Sequence, residues 1–150
     1  MPITPEGNAG RLADELAIRT LHQNYFHGVD SKDFELFGSV FDEDTVFDFR
    51  AATDPPQPVL HGRDEIIPFV RETLAGITTV HHGFLRELAF TGLDRARGLW
   101  AMEDILWRGE PGQLEVMLHG WGHYHADYRK VDDAWRISSI SLTRIHVQTH

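Results

Sequence analysis

Ten histidines in 150 residues is the unusual feature of this chain. His81, His82, His119, His123 and His125 fall inside segments that alternate with period two, as strands do. Residues two apart in a strand share a face. Sorted that way, one strand presents Val80, His82, Phe84, Arg86, Leu88 and Phe90, and the next Trp100, Met102, Asp104 and Leu106. A third presents Met117, His119, Trp121, His123 and His125, and a fourth Ile140, Leu142, Arg144 and His146. Each row is apolar or aromatic yet carries ionisable groups, which are costly to bury unpaired. They must therefore pair with each other or face a cavity. Taken singly, each has a plainer role: a satisfied core histidine, a structural Asp–Arg pair, Asp30 as a helix cap. Their convergence points further. His82, Asp104, His119 and Arg144 come from four strands that would line one concave face, beside the end of a helix carrying Tyr25 and Asp30.

Proton transfer is the chemistry such a set could perform. A carboxylate on one imidazole nitrogen fixes the tautomer and raises the basicity of the other. A phenol and a cation nearby hold the oxyanion that forms when the carbon losing its proton adjoins a carbonyl. No cofactor is required. The imidazolium can return its proton to a leaving hydroxyl, giving elimination, or to another carbon, giving isomerisation.

The elements that must position these groups read as follows. Met1–Ala9 is expected to be an irregular arm. Leu12, Leu16, Leu21, Tyr25 and Val29 then fall at helical spacing, with Ile18 widening the stripe. Asp30-Ser31-Lys32-Asp33 breaks this helix and begins a second, short one with Phe34, Phe37, Val40 and Phe41, capped by Ser31 or Asp30. A strand is expected at Thr45–Arg50, a proline-rich loop at Ala51–Gly62 and a helix at Arg63–Gly76. Four long strands follow, at about Thr79–Thr91, Arg95–Trp107, Leu114–Lys130 and Trp135–Val147, separated by turn signals. Helices first and a meander afterwards define a single α+β domain with helices on one face of an antiparallel sheet. Strands this long must coil, so a curled sheet under a helical lid encloses a concave space.

Composition narrows the function classes. A net charge of −9 disfavours nucleic acid and anionic membrane surfaces as partners. The absence of cysteine removes disulfides, thiol nucleophiles and thiolate metal sites. No apolar run reaches the length of a membrane span, and Met1–Gly10 lacks the basic and apolar regions of a signal peptide, so a cytoplasmic protein is expected. Trp107, Leu114, Val116, Leu118 and Ile137 on the opposite rows leave an apolar outer face that something should cover.

The segments Ile18-Arg19-Thr20-Leu21, Tyr25, Asp30-Ser31-Lys32-Asp33, Phe41 and Asp44 are part of a wider pattern. With the His82 strand, Tyr128-Arg129-Lys130, Trp135-Arg136-Ile137 and Leu142-Thr143-Arg144, they resemble the SnoaL-like families of the nuclear transport factor 2-like superfamily. The resemblance spans roughly Leu12 to Val147 and implies a cone-shaped, curled antiparallel or mixed sheet with N-terminal helices over its concave face. Tyr25, Asp30, His82, Asp104 and Arg144 stand at places matching the bile-acid 7-alpha-dehydratases. Scytalone dehydratases place paired histidines at His82 and His119 and an aspartate at Asp30; their two tyrosines fall on Val29 and Phe49, which lack the hydroxyl. Members of these families associate as homodimers or homotrimers through the sheet.

The resulting expectation is a cofactor-independent lyase or isomerase acting on a small hydrophobic hydroxy-ketone. In it His82 is the base, Asp30 its orienter, Tyr25 the donor to substrate oxygen, Arg144 with Asp104 the polar end, and His119 an aid to the leaving group. Phe49, Phe84, Trp100, Met102, Trp121 and Leu142 supply apolar walls. The alternative from another class is a binding or assembly module of the same fold without catalysis. A metal enzyme is a third reading, from His123 and His125 with His119 on the same side, but no carboxylate follows at suitable spacing, so no metal is expected.

Overall fold

The computed structural model describes residues 5–150. Helix α1 runs over Pro5–Ser31 and buries Ile18, Leu21, His22, Tyr25 and Val29, a stripe at helical spacing. Residues 5–9 are thus helical where an irregular arm was expected, and residues 1–4 lie outside the described part. Leu12 and Leu16 belong to the apolar pattern but are exposed, because the inward stripe continues back through Ala17, Asp14, which accepts from Trp135, and Arg11, which lies over Phe90.

One residue breaks the chain between helices. Lys32 adopts φ 60°, a left-handed conformation, and α2 (Phe34–Gly38) follows at once. Its cap is Asp33, whose carboxylate accepts from the Leu36 N–H at 3.1 Å. Neither Ser31 nor Asp30 does this work, and Asp30 is free for another task. Gly28 lets α2 fold back onto α1, since a Cβ there would lie 2.6 Å from the Phe37 nitrogen.

The sheet follows: β1 (Phe41–Asp48), β2 (Leu60–His61), β3 (Thr78–Gly92), β4 (Arg95–Arg108), β5 (Glu115–Val131) and β6 (Ala134–Thr149), with α3 (Arg63–Thr73) between β2 and β3. The strand order is β2-β1-β6-β5-β4-β3. β1 runs parallel to β6 and the other pairs are antiparallel, so the sheet is mixed. The two-residue β2 was read as loop because Leu60–His61 is too short to show a period. The four long strands lie within two residues of their expected bounds.

Pairing register decides what faces the helices. One row across the concave side runs His81–Asp104–Gly120–Val147, the next Gly83–Met102–Gly122–Arg144, the next Leu85–Trp100–Tyr124–Leu142. Beneath them Tyr124, Tyr128, Ile137 and Ile140 pack with Phe37, Phe41 and Ile18 from the helices and β1. The row expected on the concave side of β4 is there, and so is that of β6 through Ile140, Leu142 and Arg144; past the bulge His146 turns outward beside Trp121 and Val147 turns in. On β3 and β5 the expected faces were reversed: His82, Phe84, His119, Trp121, His123 and His125 lie on the outer side. Both faces of these strands carry aromatic and ionisable groups, so hydrophobic pattern alone does not distinguish them. Bulges between Leu85 and Glu87 and between Trp121 and Gly122 compound this by switching parity within a pair. Leu88 and Phe90 therefore pack inward although Phe84 does not. Leu118 and Ile137, expected outside, respectively line the cavity and sit in the core.

Candidate active site

Between the helices and the concave face lies a cavity of about 600 Å³. Much of its wall is aromatic and aliphatic, with Phe47, Phe49, Phe69, Leu106 and Leu142. Tyr25, His81, Asp104, Tyr124 and Arg144 are among the groups lining it that could do chemistry, and Asp54 lines it from the loop before β2.

His81 is held by Asp30, at the last turn of α1. The imidazole Nδ1 lies 2.7 Å from Asp30 Oδ1, and the His81 backbone N–H donates to Oδ2 at 2.8 Å. The Thr79 hydroxyl adds a third donor, to Oδ1 at 2.9 Å. A carboxylate with these bonds only accepts, so Nδ1 carries the ring proton and Nε2 is the basic nitrogen. Phe26 lies parallel to the ring, 7° from coplanar at 6.5 Å. His82, the expected partner of Asp30, points outward, with 59% of its side chain exposed and Nδ1 3.5 Å from Glu103 Oε1. Alternation along a strand separates these neighbours onto opposite faces.

The second pair closes another side of the cavity. Arg144 donates from Nη1 to Asp104 Oδ1 at 2.6 Å and from Nη2 to Oδ2 at 3.0 Å, a bidentate bridge. The glycine between their strands makes it possible. A Cβ at Gly120 would stand 2.4 Å from Arg144 Nη1 and 2.6 Å from Asp104 Oδ1. Gly120→Ala is therefore expected to force the bridge apart and cost about 1–3 kcal/mol, read by urea unfolding; unchanged stability would show that the pair has room to shift.

Tyr25 is buried, and loss of solvent raises its phenol pKa well above the ordinary value; the Tyr124 hydroxyl opposes this, and Asp104 and Asp30 add to it. Tyr124 is also raised, first by burial and then by Tyr25. Both phenols therefore stay protonated and able to donate at neutral pH.

Of the expected site residues, Tyr25, Asp30, Asp104, Arg144, Phe49 and Leu142 are brought together at the cavity. Trp100 and Met102 sit on the concave side but in packed surroundings: Trp100 stacks on His22, and Met102 supports Arg144 through its sulfur. His82, His119, Phe84 and Trp121 are not at the cavity. His119 Nε2 donates to Glu103 Oε2 at 2.7 Å, and its ring stacks on Trp121 at 4.0 Å, both on the outer face. His125 bonds the Thr143 hydroxyl there, and among the described residues no three potential metal ligands converge. Sequence reasoning missed His81, Thr79 and Tyr124. The one available signal for Tyr124 was the row Gly120-Gly122-Tyr124, where two missing side chains leave space beside an aromatic.

A curled mixed sheet with its concave side covered by three helices, and a polar cluster in the wall of a largely apolar cavity, is the nuclear transport factor 2-like α+β cone. The chain belongs to the SnoaL-like domain family, whose model matches residues 10–141. Among curated proteins, none matches it in sequence. Solved structures agree on the fold. A hexachlorocyclohexane dehydrochlorinase, LinA type 2, superposes with a TM-score of 0.80 at 20% identity, over 95% of this chain and 93% of that one. A scytalone dehydratase-like protein from Novosphingobium aromaticivorans gives 0.81 at 18% identity, over 95% and 91%. The LinA type 3 dehydrochlorinase from Novosphingobium barchaimii gives 0.79 at 19%, over 95% and 94%. No described helix is long and apolar enough to cross a membrane.

Proposed function

We propose that this protein is a lyase that eliminates water from a small, uncharged alicyclic or polycyclic hydroxy-ketone, with His81 as its base. The observation that carries this reading is the Asp30–His81 pair at the wall of a largely apolar cavity. Asp30 fixes the tautomer, so His81 Nε2 takes the proton from the carbon next to the carbonyl. Tyr25 donates to the carbonyl oxygen as charge builds there. The enolate electrons form the C=C bond as the C–O bond breaks. The imidazolium returns the proton to the departing hydroxide, and water leaves. Asp104 and Arg144 cancel each other's charge, which favours an uncharged substrate over a carboxylate or phosphate. Base, orienter and donor are all side chains, so no cofactor enters the scheme. The dehydrochlorinases that share the fold are named for another elimination, which supports the reaction class.

The test is a panel of alicyclic β-hydroxy-ketones, followed by the absorbance of the conjugated product, with proton exchange in heavy water read alongside. The wild type is expected to convert at least one. Tyr25→Phe on that substrate should lower kcat about 10²–10³-fold with KM little changed, as loss of one oxyanion donor does. Exchange without water loss would make the enzyme an isomerase. Binding with neither exchange nor product would instead identify a non-catalytic binding module.

A further inference from the structure

The lining of the cavity grades from buried to exposed. Tyr25, Phe37, Phe47 and Tyr124 are shielded from solvent, whereas Thr53, Asp54 and Thr73 are exposed and mark where the cavity opens. One side chain pins the loop at this rim. The Thr53 hydroxyl donates to the Phe49 carbonyl at 3.3 Å and accepts from the Gln57 N–H at 2.9 Å. The turn so closed holds Asp54 and Gln57 together, and both line the cavity. Neither side chain is spent on the fold. Among the described residues, none forms a hydrogen bond or ion pair with the Asp54 carboxylate or the Gln57 side-chain amide. Arg50, the nearest cation in sequence, is already taken by Asp48, at 2.9 Å from Nε and 2.8 Å from Nη2.

Charge around the cavity is unevenly placed. Asp104 and Arg144 cancel each other, and the His81 ring acts as a base from its neutral form. Among the described lining residues Asp54 is thus the uncompensated charge, and the net −9 of the chain adds to its field. An anionic group on a ligand is repelled there. A carboxylate only accepts hydrogen bonds, while an amide offers both a carbonyl and an NH₂. A hydroxyl satisfies the two together, donating to Asp54 and accepting from Gln57. An ammonium has no acceptor for the amide donors, and a lone ion pair in contact with water gains little.

We propose that the substrate carries a second hydroxyl, at the end away from its reacting carbonyl, and that Asp54 and Gln57 bind it. The place of this hydroxyl rests on the reading of the cavity as the substrate site, and it narrows the class to elongated hydroxy-ketones with two polar ends. The carbonyl end lies against Tyr25 and His81, and the apolar body against Phe49, Phe69 and Leu74. The far hydroxyl reaches the rim, where it stays partly hydrated and costs little to place. A volume of about 600 Å³ suits a molecule of several linked rings. Asp54 and Gln57 select the substrate and take no part in the proton transfer.

Isothermal titration calorimetry tests this with 4-cyclohexylcyclohexanone and with the same molecule bearing a hydroxyl, an amine or a carboxylate on the far carbon of its second ring. None has a hydroxyl β to the carbonyl, so none can lose water by this route and binding is read apart from turnover. The wild type is expected to bind the hydroxyl probe about 10-fold tighter than the unsubstituted one, as a hydrogen bond to a charged group allows. The carboxylate probe should bind more weakly than either. An Asp54→Ala, Gln57→Ala double variant should bind the two uncharged probes equally. Equal binding of those probes by the wild type, tighter binding of the amine than of the alcohol, a hydroxyl advantage that survives in the double variant, or binding of no probe would each overturn the proposal. Water loss from a ketone of the panel with equal binding of the probes would remove the far hydroxyl and leave the lyase standing. A hydroxyl advantage with no elimination would do the reverse.

Discussion

His81→Ala is expected to reduce elimination about 10²–10⁴-fold, whereas His82→Ala, one residue along the same strand, leaves kcat/KM unchanged. The contrast follows from geometry. His81 lines the cavity and is fixed by Asp30 at 2.7 Å, while His82 stands on the opposite face beside Glu103. Asp30→Asn should approach the effect of His81→Ala. An amide can present its NH₂ to Nδ1 and so favour the tautomer with its proton on Nε2, removing the base rather than the fold. Steady-state kinetics on a substrate from the hydroxy-ketone panel decides it. Equal losses at both histidines, or none at His81, would remove His81 from the role of base.

Acid should unfold this protein through a residue far from that chemistry. His22 is fully buried, stacked on Trp100 at 4.2 Å and bonded through Nε2 to the Tyr128 hydroxyl. Burial pushes its pKa down from 6.5 to about 3. The folded protein therefore refuses a proton that the unfolded chain accepts once the pH falls below 6.5. Stability is fully present above that value and declines as pH drops towards 3. The whole shift is worth about 5 kcal/mol, of which about 2 kcal/mol is gone by pH 5. That is a large share of the stability of a domain this size. Urea unfolding of the wild type and of His22→Gln across this range measures it. The variant is expected to be less stable near neutrality yet much flatter with pH. Identical slopes would mean that His22 is not the group refusing the proton. Other groups cancel in the comparison, including Glu103, whose carboxyl His119 and His82 hold below its usual value.

The order of the main elements and the bounds of the four long strands were legible because those strands alternate cleanly and turn residues punctuate them; the first strand, expected at Thr45–Arg50, instead runs over Phe41–Asp48 and takes Phe41 from the second helix. The components of the cavity were partly legible. Tyr25 sits on a helical stripe, and Asp104 and Arg144 lie on rows whose other members are apolar. The facing of β3 and β5 was not. Choosing between His81 and His82 needs the pairing register with β4, which depends on contacts far apart in the chain. The role of Asp30 turned on a smaller matter. Asp33 caps α2, a detail of loop geometry, and only then does Asp30 have no local partner and reach β3. His22 gave no warning at all, since a histidine in a helical stripe looks the same whether its ring meets water or a tryptophan.

Asp30 also has a consequence for the border of the sheet. β3 is the last strand, with β4 on one side and no strand on the other. At such a border, unpaired backbone groups invite a foreign strand to add itself. The His81 N–H is not open to that approach, because it donates to Asp30 Oδ2 at 2.8 Å. The helix carboxylate occupies the place a seventh strand would take, and the Thr79 hydroxyl fastens it there. The contact that fixes the His81 ring thus also blocks this point of the β3 border, so a variant lacking Asp30 should be more prone to aggregate as well as less active.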